Sequence, residues 1–206
     1  AGIRVGAGES LIVQVHWSAG AGAVEPPEVR LQWADEPPAR EARLLLLGNA
    51  SDATEGLLPD PADVGEPEFR IPAGSPEHAE VMVVPVARGG PPARLFAVGH
   101  HMHRFGWRMT SRVVGGPCLL DTPDWRYEWH TLYHVDAPEP AWLEVRPDDR
   151  VELRCVYRNT LDHPGAAATY QAAGVDQPVD VGLGAGSLDE MCNLLLGVVE
   201  EEAPAP

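Results

Sequence analysis

Short runs of alternating or β-branched residues, each bounded by proline, glycine or aspartate, make up most of this chain, and helical periodicity is nearly absent. The clearest runs are 10–17, 29–33, 79–86, 95–103, 107–114, 142–145, 151–157 and 193–201. Eight or more such runs at modest spacing predict an antiparallel β-sandwich rather than βαβ units, so the expected fold class is all-β. The four leucines at 44–47 suit a buried strand or a helical turn equally, and their distance from neighbouring runs fits another strand. Two stretches, 48–67 and 159–186, read as long surface connections, and loops of that length in a compact domain are often functional. The acidic, proline-containing tail at 200–206 is expected to fray.

Glycine and proline together supply 42 of the 206 residues, below the share typical of disordered low-complexity chains, and 44% hydrophobic residues leave ample material for a core. Thirty-one acidic residues face fifteen basic ones, all of them arginine, for a net charge of −16. A chain so acidic and without basic clusters repels phosphate backbones and anionic lipid, so neither nucleic acid nor a membrane surface is an expected partner. The longest apolar run, 194–199, is far too short to cross a bilayer as a helix. No charged-then-apolar leader opens the sequence, so an export signal is expected to have been removed or never present. Three cysteines are too few for a disulfide scaffold and leave one unpaired.

The segment 96–106 carries the densest chemistry, reading Phe-Ala-Val-Gly-His-His-Met-His-Arg-Phe-Gly. In an extended strand His101 and His103 share a face, while His100 and Met102 share the other. Two imidazoles at i and i+2 on a rigid strand are a ready pair of ligands for Zn, Cu, Fe or Ni. The alternative is a chance cluster on a solvated face. Met191 immediately precedes an apolar run. It serves either core packing or, as a soft thioether, selection of copper over zinc. Cys155 and Cys192 fall on separate runs. They are either bridged, which would fix Met191 beside Cys192 and imply an oxidising compartment, or two buried thiols, with Cys118 left over. His100 reads as structural, His130 and His134 as packing or surface, and His163 as an inert loop residue. Trp125, Tyr127 and Trp129 alternate like a strand, and Arg104, Trp107 and Arg108 are weaker candidates for the approach to a metal.

His101-Met102-His103 followed by 187–193, Ser-Leu-Asp-Glu-Met-Cys-Asn, resembles the C-terminal half of the copper type II, ascorbate-dependent monooxygenases, the family of peptidylglycine α-hydroxylating monooxygenase and dopamine β-monooxygenase. The stretch 150–160 is similar to the family strand that carries a cysteine, and 118–129 resembles a segment of bacterial members. Val13-Gln-Val-His16-Trp17 is similar to the strand that supplies one histidine to the family's other copper, so the resemblance spans nearly the whole chain. The Asp-Glu-Met-Cys stretch is specific; a lone His-x-His is not.

The resemblance implies a jelly-roll-like sandwich, a catalytic copper held by His101, His103 and Met191, and a Cys155–Cys192 bridge. It implies that oxygen is activated at this copper and a substrate C–H bond hydroxylated, with ascorbate or a similar reductant. Of the three histidines at the second copper only His16 is present, so it reads as a vestige. Residues 1–38 accordingly read as edge strands or as the remnant of a preceding copper domain, and 39–206 as the catalytic-copper domain. Asn193 matches the family pattern near the substrate. Gly99 and Leu195 stand where peptide-hydroxylating members carry an arginine and a tyrosine, which removes charge-assisted contacts to a peptide carboxylate. The expected partners are therefore molecular oxygen and a neutral or aromatic small molecule, in the periplasm or outside the cell. A non-enzymatic single-copper module is the alternative, and a sandwich that has lost its metal ranks last.

Overall fold

A computed structural model describes residues 2–10, 12–13, 28–36, 38, 40–50, 55–87 and 89–200. In chain order its strands are β1 (Ala42–Gly48), β2 (Arg70–Ile71), β3 (His78–Pro85), β4 (Ala93–His101), β5 (Gly106–Val113) and β6 (Cys118–Thr122). There follow β7 (Tyr133–His134), β8 (Glu144–Val145), β9 (Arg150–Tyr157), the helix α1 (Pro164–Ala173), β10 (Val181–Gly182) and β11 (Asn193–Glu200). One sheet runs β1-β11-β4-β7, with β8 also on β4; a second runs β3-β9-β5-β6; β10 and β2 form a small ribbon. Every strand pairing in them is antiparallel, so the chain is the all-β sandwich its alternation predicts.

Alternation decides which residues fill the space between the sheets. Glu80, Met82 and Val84 of β3 point inward, as do Val151, Leu153, Cys155 and Tyr157 of β9 and Leu194, Leu196 and Val198 of β11. The leucine run at 44–47 is strand, with Leu47 buried at the sheet's inner face and Leu44 and Leu46 exposed on its outer face. A disulfide, Cys155–Cys192, joins β9 of one sheet to the residue preceding β11 of the other, with 5.9 Å between Cα atoms. Cys118 is the free cysteine.

Two expectations are corrected. The 29–33 run forms no strand: Val29, Leu31 and Trp33 are exposed and have no ladder partner, so alternation there has no core to face. The 10–17 run lies mostly outside the described residues, as does His16. The 159–186 connection is not wholly loop. Pro164 opens α1, the His163 ring accepts from the Ala166 N–H at 3.3 Å, and Gly174 closes the helix in the left-handed region at φ 68°. No helix among the described residues is long and apolar enough to cross a membrane.

Candidate metal centre

Antiparallel register sets the outer face of the β4–β11 pair. Asn193 lies directly opposite His101, His100 opposite Leu194, and Gly99 opposite Leu195. His101 therefore shares a face with Asn193 at the last position of this ladder, and His103 and Met191 follow just beyond it on the two chain segments. The His101 and His103 rings stand perpendicular, their centroids 5.3 Å apart. Asn193 Nδ2 donates to Met191 Sδ at 3.4 Å, holding the thioether on that face. The neighbours point inward, Met102 buried in the core and Cys192 in its disulfide.

The segment 189–193 is tied at every residue. Asp189 O accepts from His103 Nδ1 at 2.9 Å. The fully buried Glu190 carboxylate accepts from the backbone N–H groups of His103 (2.7 Å), Phe105 (2.7 Å) and Met191 (3.0 Å). Burial outweighs these donors and the Gly106 N–H, which pull the other way, and leaves the Glu190 carboxyl raised to about 8. Tyr157 Oη donates to Met191 O at 2.8 Å, and burial drives its phenol well up. The Cys192 N–H donates to Asn49 Oδ1 at 2.9 Å and the Ala50 N–H to Asn193 Oδ1 at 3.0 Å, which requires β1 to end against this segment. Gly48 permits that approach: it sits at φ 113°, and a Cβ there would lie 2.1 Å from Cys192 O.

A carbonyl only accepts, so the contact to Asp189 places the His103 proton on Nδ1 and leaves Nε2 as the lone-pair nitrogen. This is the arrangement of a metal-binding histidine whose other nitrogen is fixed by a backbone carbonyl. Two imidazoles and a thioether form a donor set suited to copper, above all its reduced ion.

His100 has the structural role expected of it. Its ring is buried between Thr122 Oγ1 and Ser111 Oγ, each at 2.9 Å, and burial holds the imidazole down at about 4. His134 packs on Phe96 and Trp142. His130 is an exposed residue that packs on rings, in keeping with the packing or surface role expected of it: its ring lies 4.9 Å from His101, 5.2 Å from Trp125 and 5.0 Å from Tyr127. Burial against these rings lowers its pKa. The 123–132 segment that carries it is not a strand. It is anchored where Trp125 Nε1 donates to His103 O at 2.9 Å and the Trp125 N–H to Trp107 O at 2.9 Å. Arg104 lies over Tyr127 at 4.5 Å beside this site, whereas Trp107 stacks under Arg158 at 3.4 Å and Arg108 pairs with Glu77, away from it.

Gly99 and Leu195 face each other across one ladder position. A Cβ at Gly99 would lie 2.9 Å from Thr131 O and 3.3 Å from Leu132 Cδ1, so the 131–132 backbone fills the place an arginine would need. Beside it, around Trp125, opens a cavity of about 490 Å³ whose walls include His100, Asp121, Trp129 and Tyr133. No protein-family model matches this chain, and no curated protein matches it.

Proposed function

We propose that His101, His103 and Met191 hold one copper ion and that the chain is the oxygen-activating, substrate-hydroxylating domain of a copper-dependent monooxygenase using ascorbate or a similar reductant. The observation that carries this reading is the His103 Nδ1–H bond to Asp189 O, two residues before Met191, which leaves Nε2 as the lone-pair nitrogen beside the His101 ring. Copper at such a site supplies one-electron redox chemistry and activates dioxygen for C–H hydroxylation. His103 is oriented by Asp189, Met191 by Asn193 and Glu190, and the His130 ring packs on His101. The closed position at Gly99, with Leu195 opposite, disfavours a carboxylate-bearing peptide and favours a neutral or aromatic small molecule. The Cys155–Cys192 bridge fits an oxidising compartment, and we assign the chain to the periplasm or the exterior on that ground.

X-ray absorption on the Cu(I)-loaded protein tests the ligand set. One sulfur beside two imidazoles is expected, and the sulfur should vanish in Met191→Ala; a spectrum unchanged by that substitution refutes the assignment. Turnover is read as incorporation of labelled oxygen from dioxygen into aromatic small molecules in the presence of ascorbate. An intact copper site with no incorporation would make the chain a single-copper binding module instead.

A further inference from the structure

Sequence alternation also sends His78 and Glu80 to one face of β3, the inner one, far along the chain from the histidines of β4. Asp60 comes down onto them from the 49–68 connection. His78 Nε2 lies 3.0 Å from Glu80 Oε1 and 3.5 Å from Asp60 Oδ2, and one donor atom from each of the three residues falls within 4.8 Å of the other two. The carboxylate of Glu80 is completely buried, and the side chains of His78 and Asp60 are 9% and 11% exposed.

Hydrogen bonding does not account for this cluster. Glu80 Oε1 also accepts from the Arg70 N–H at 2.9 Å, but Glu80 Oε2 is buried with no partner at all. Asp60 Oδ1 is taken by the Ala62 N–H at 2.5 Å, which turns Oδ2 toward the imidazole. The one proton on His78 Nε2 can serve only one of the two carboxylates facing it. The nearby guanidinium of Arg70 is committed elsewhere, to Asp180, Glu68 and the Ala62 carbonyl. Two carboxylates enclosed with a single imidazole and an orphaned oxygen leave negative charge uncompensated, the situation in which buried acids are found coordinating metal.

We propose that Asp60, His78 and Glu80 form a second metal site, holding a divalent first-row cation of the zinc class in a closed, structural position. Ligand bonds of roughly 2.0–2.2 Å in a tetrahedron set donor-to-donor edges of about 3.3–3.6 Å; the two imidazole-to-carboxylate spacings, 3.0 Å and 3.5 Å, would reach that geometry with small side-chain shifts. Glu80 Oε2, too close to Oε1 to stand at a tetrahedral corner itself, would fill the fourth direction as a weaker, longer contact. One nitrogen and carboxylate oxygens suit zinc or manganese and offer no soft ligand for Cu(I), so the site is chemically distinct from the one on β4. Its work is to fasten the 57–68 segment to the first turn of β3.

Zinc uptake is measured on the full chain carrying His101→Ala and His103→Ala, so that the β4 site cannot contribute and its failure is read separately. After chelation and dialysis, one zinc per chain is expected, with a thermal midpoint a few degrees higher than without zinc. Cobalt in its place should show the visible absorption of a four-coordinate ion. His78→Gln and Asp60→Asn, both at the margin of the core and checked by circular dichroism, should each weaken zinc binding by more than the roughly 10–100-fold lost with an outer partner. Glu80→Gln should do the same. A chain that takes up no zinc, or one whose zinc affinity is unmoved by His78→Gln and Asp60→Asn, overturns the proposal.

Discussion

Replacing Cys155 and Cys192 together by alanine removes the one covalent tie between the two sheets, and its cost can be worked from the loop it closes. The bridged residues are 37 apart in sequence. For a loop of that length the chain-entropy relation gives a cost of roughly 4 kcal/mol at 25 °C, most of it through the greater freedom of the unfolded chain. Both sulfurs are fully buried, so the alanines also leave a small void that adds to the loss. Against the 5–15 kcal/mol by which a domain is commonly stable, about 4 kcal/mol is a large share. Urea unfolding followed by tryptophan fluorescence is the assay, comparing oxidised wild type with the double variant. Because the crosslink restrains the unfolded state, its removal should also raise the denaturant slope, as the freed chain exposes more surface. A loss under about 1 kcal/mol with an unchanged slope would refute the reasoning and show that the 155–192 loop stays closed in the unfolded chain without its bridge.

Acidification is expected to act through His100. Its folded pKa of about 4 lies below the ordinary 6.5, so between those values the unfolded chain binds the extra proton and stability falls as pH drops. The full loss is about 3 kcal/mol, complete near pH 4, and a His100→Gln variant should show a correspondingly flatter stability profile by denaturant titration. Glu190→Gln should cost about 1–3 kcal/mol or more, because an amide nitrogen replaces an oxygen that faces backbone N–H donors, and it should loosen Met191; an equally stable variant with unaltered Cu(I) binding would contradict the clamp. Gly99→Ala should cost about 1–3 kcal/mol in thermal or urea unfolding, since its methyl meets the 131–132 backbone, and a neutral outcome would mean that this segment yields freely.

What the sequence made legible follows period-2 patterning. Runs such as 79–86 and 151–157 alternate because one face is buried, and they became β3 and β9 almost to the residue. The 29–33 run alternates too, but alternation marks a strand only where a sheet is there to receive it, and Val29, Leu31 and Trp33 meet solvent. Helix α1 escaped because its apolar residues are mostly alanine, scattered round the axis, with only Ala166, Thr169 and Tyr170 buried; the Pro164 start and Gly174 stop were its readable signals. The place of His130 beside His101 and the part of Asp60 were not foreseen, for one reason. Each reaches its cluster from a loop whose path depends on single tertiary contacts, Trp125 to His103 O in one case and the Asp60–Asp63 turn in the other, and no local pattern encodes them.

The proposed soft-ligand segment is contiguous because its residues have different neighbours to meet. Along 189–193 Glu190 and Cys192 are fully buried while Asp189 and Met191 are partly exposed, so consecutive residues divide the labour. Glu190 and Cys192 go to the core, where a carboxylate gathers the N–H groups of the 103–106 turn and a disulfide grips β9. Asn193 pairs with His101 and donates to the Met191 thioether. Asp189, at the start, supplies the carbonyl that sets the His103 tautomer. A flexible methionine would otherwise lose up to about 2 kcal/mol of rotamer freedom on binding a metal. Here the backbone of 189–193 is already held by β1, β9 and the turn after β4, and Asn193 engages the thioether, so part of that ordering cost is met in folding. Loosening any of these ties should therefore weaken Cu(I) binding in proportion to the disorder it gives Met191, even though none of the tying groups touches the metal.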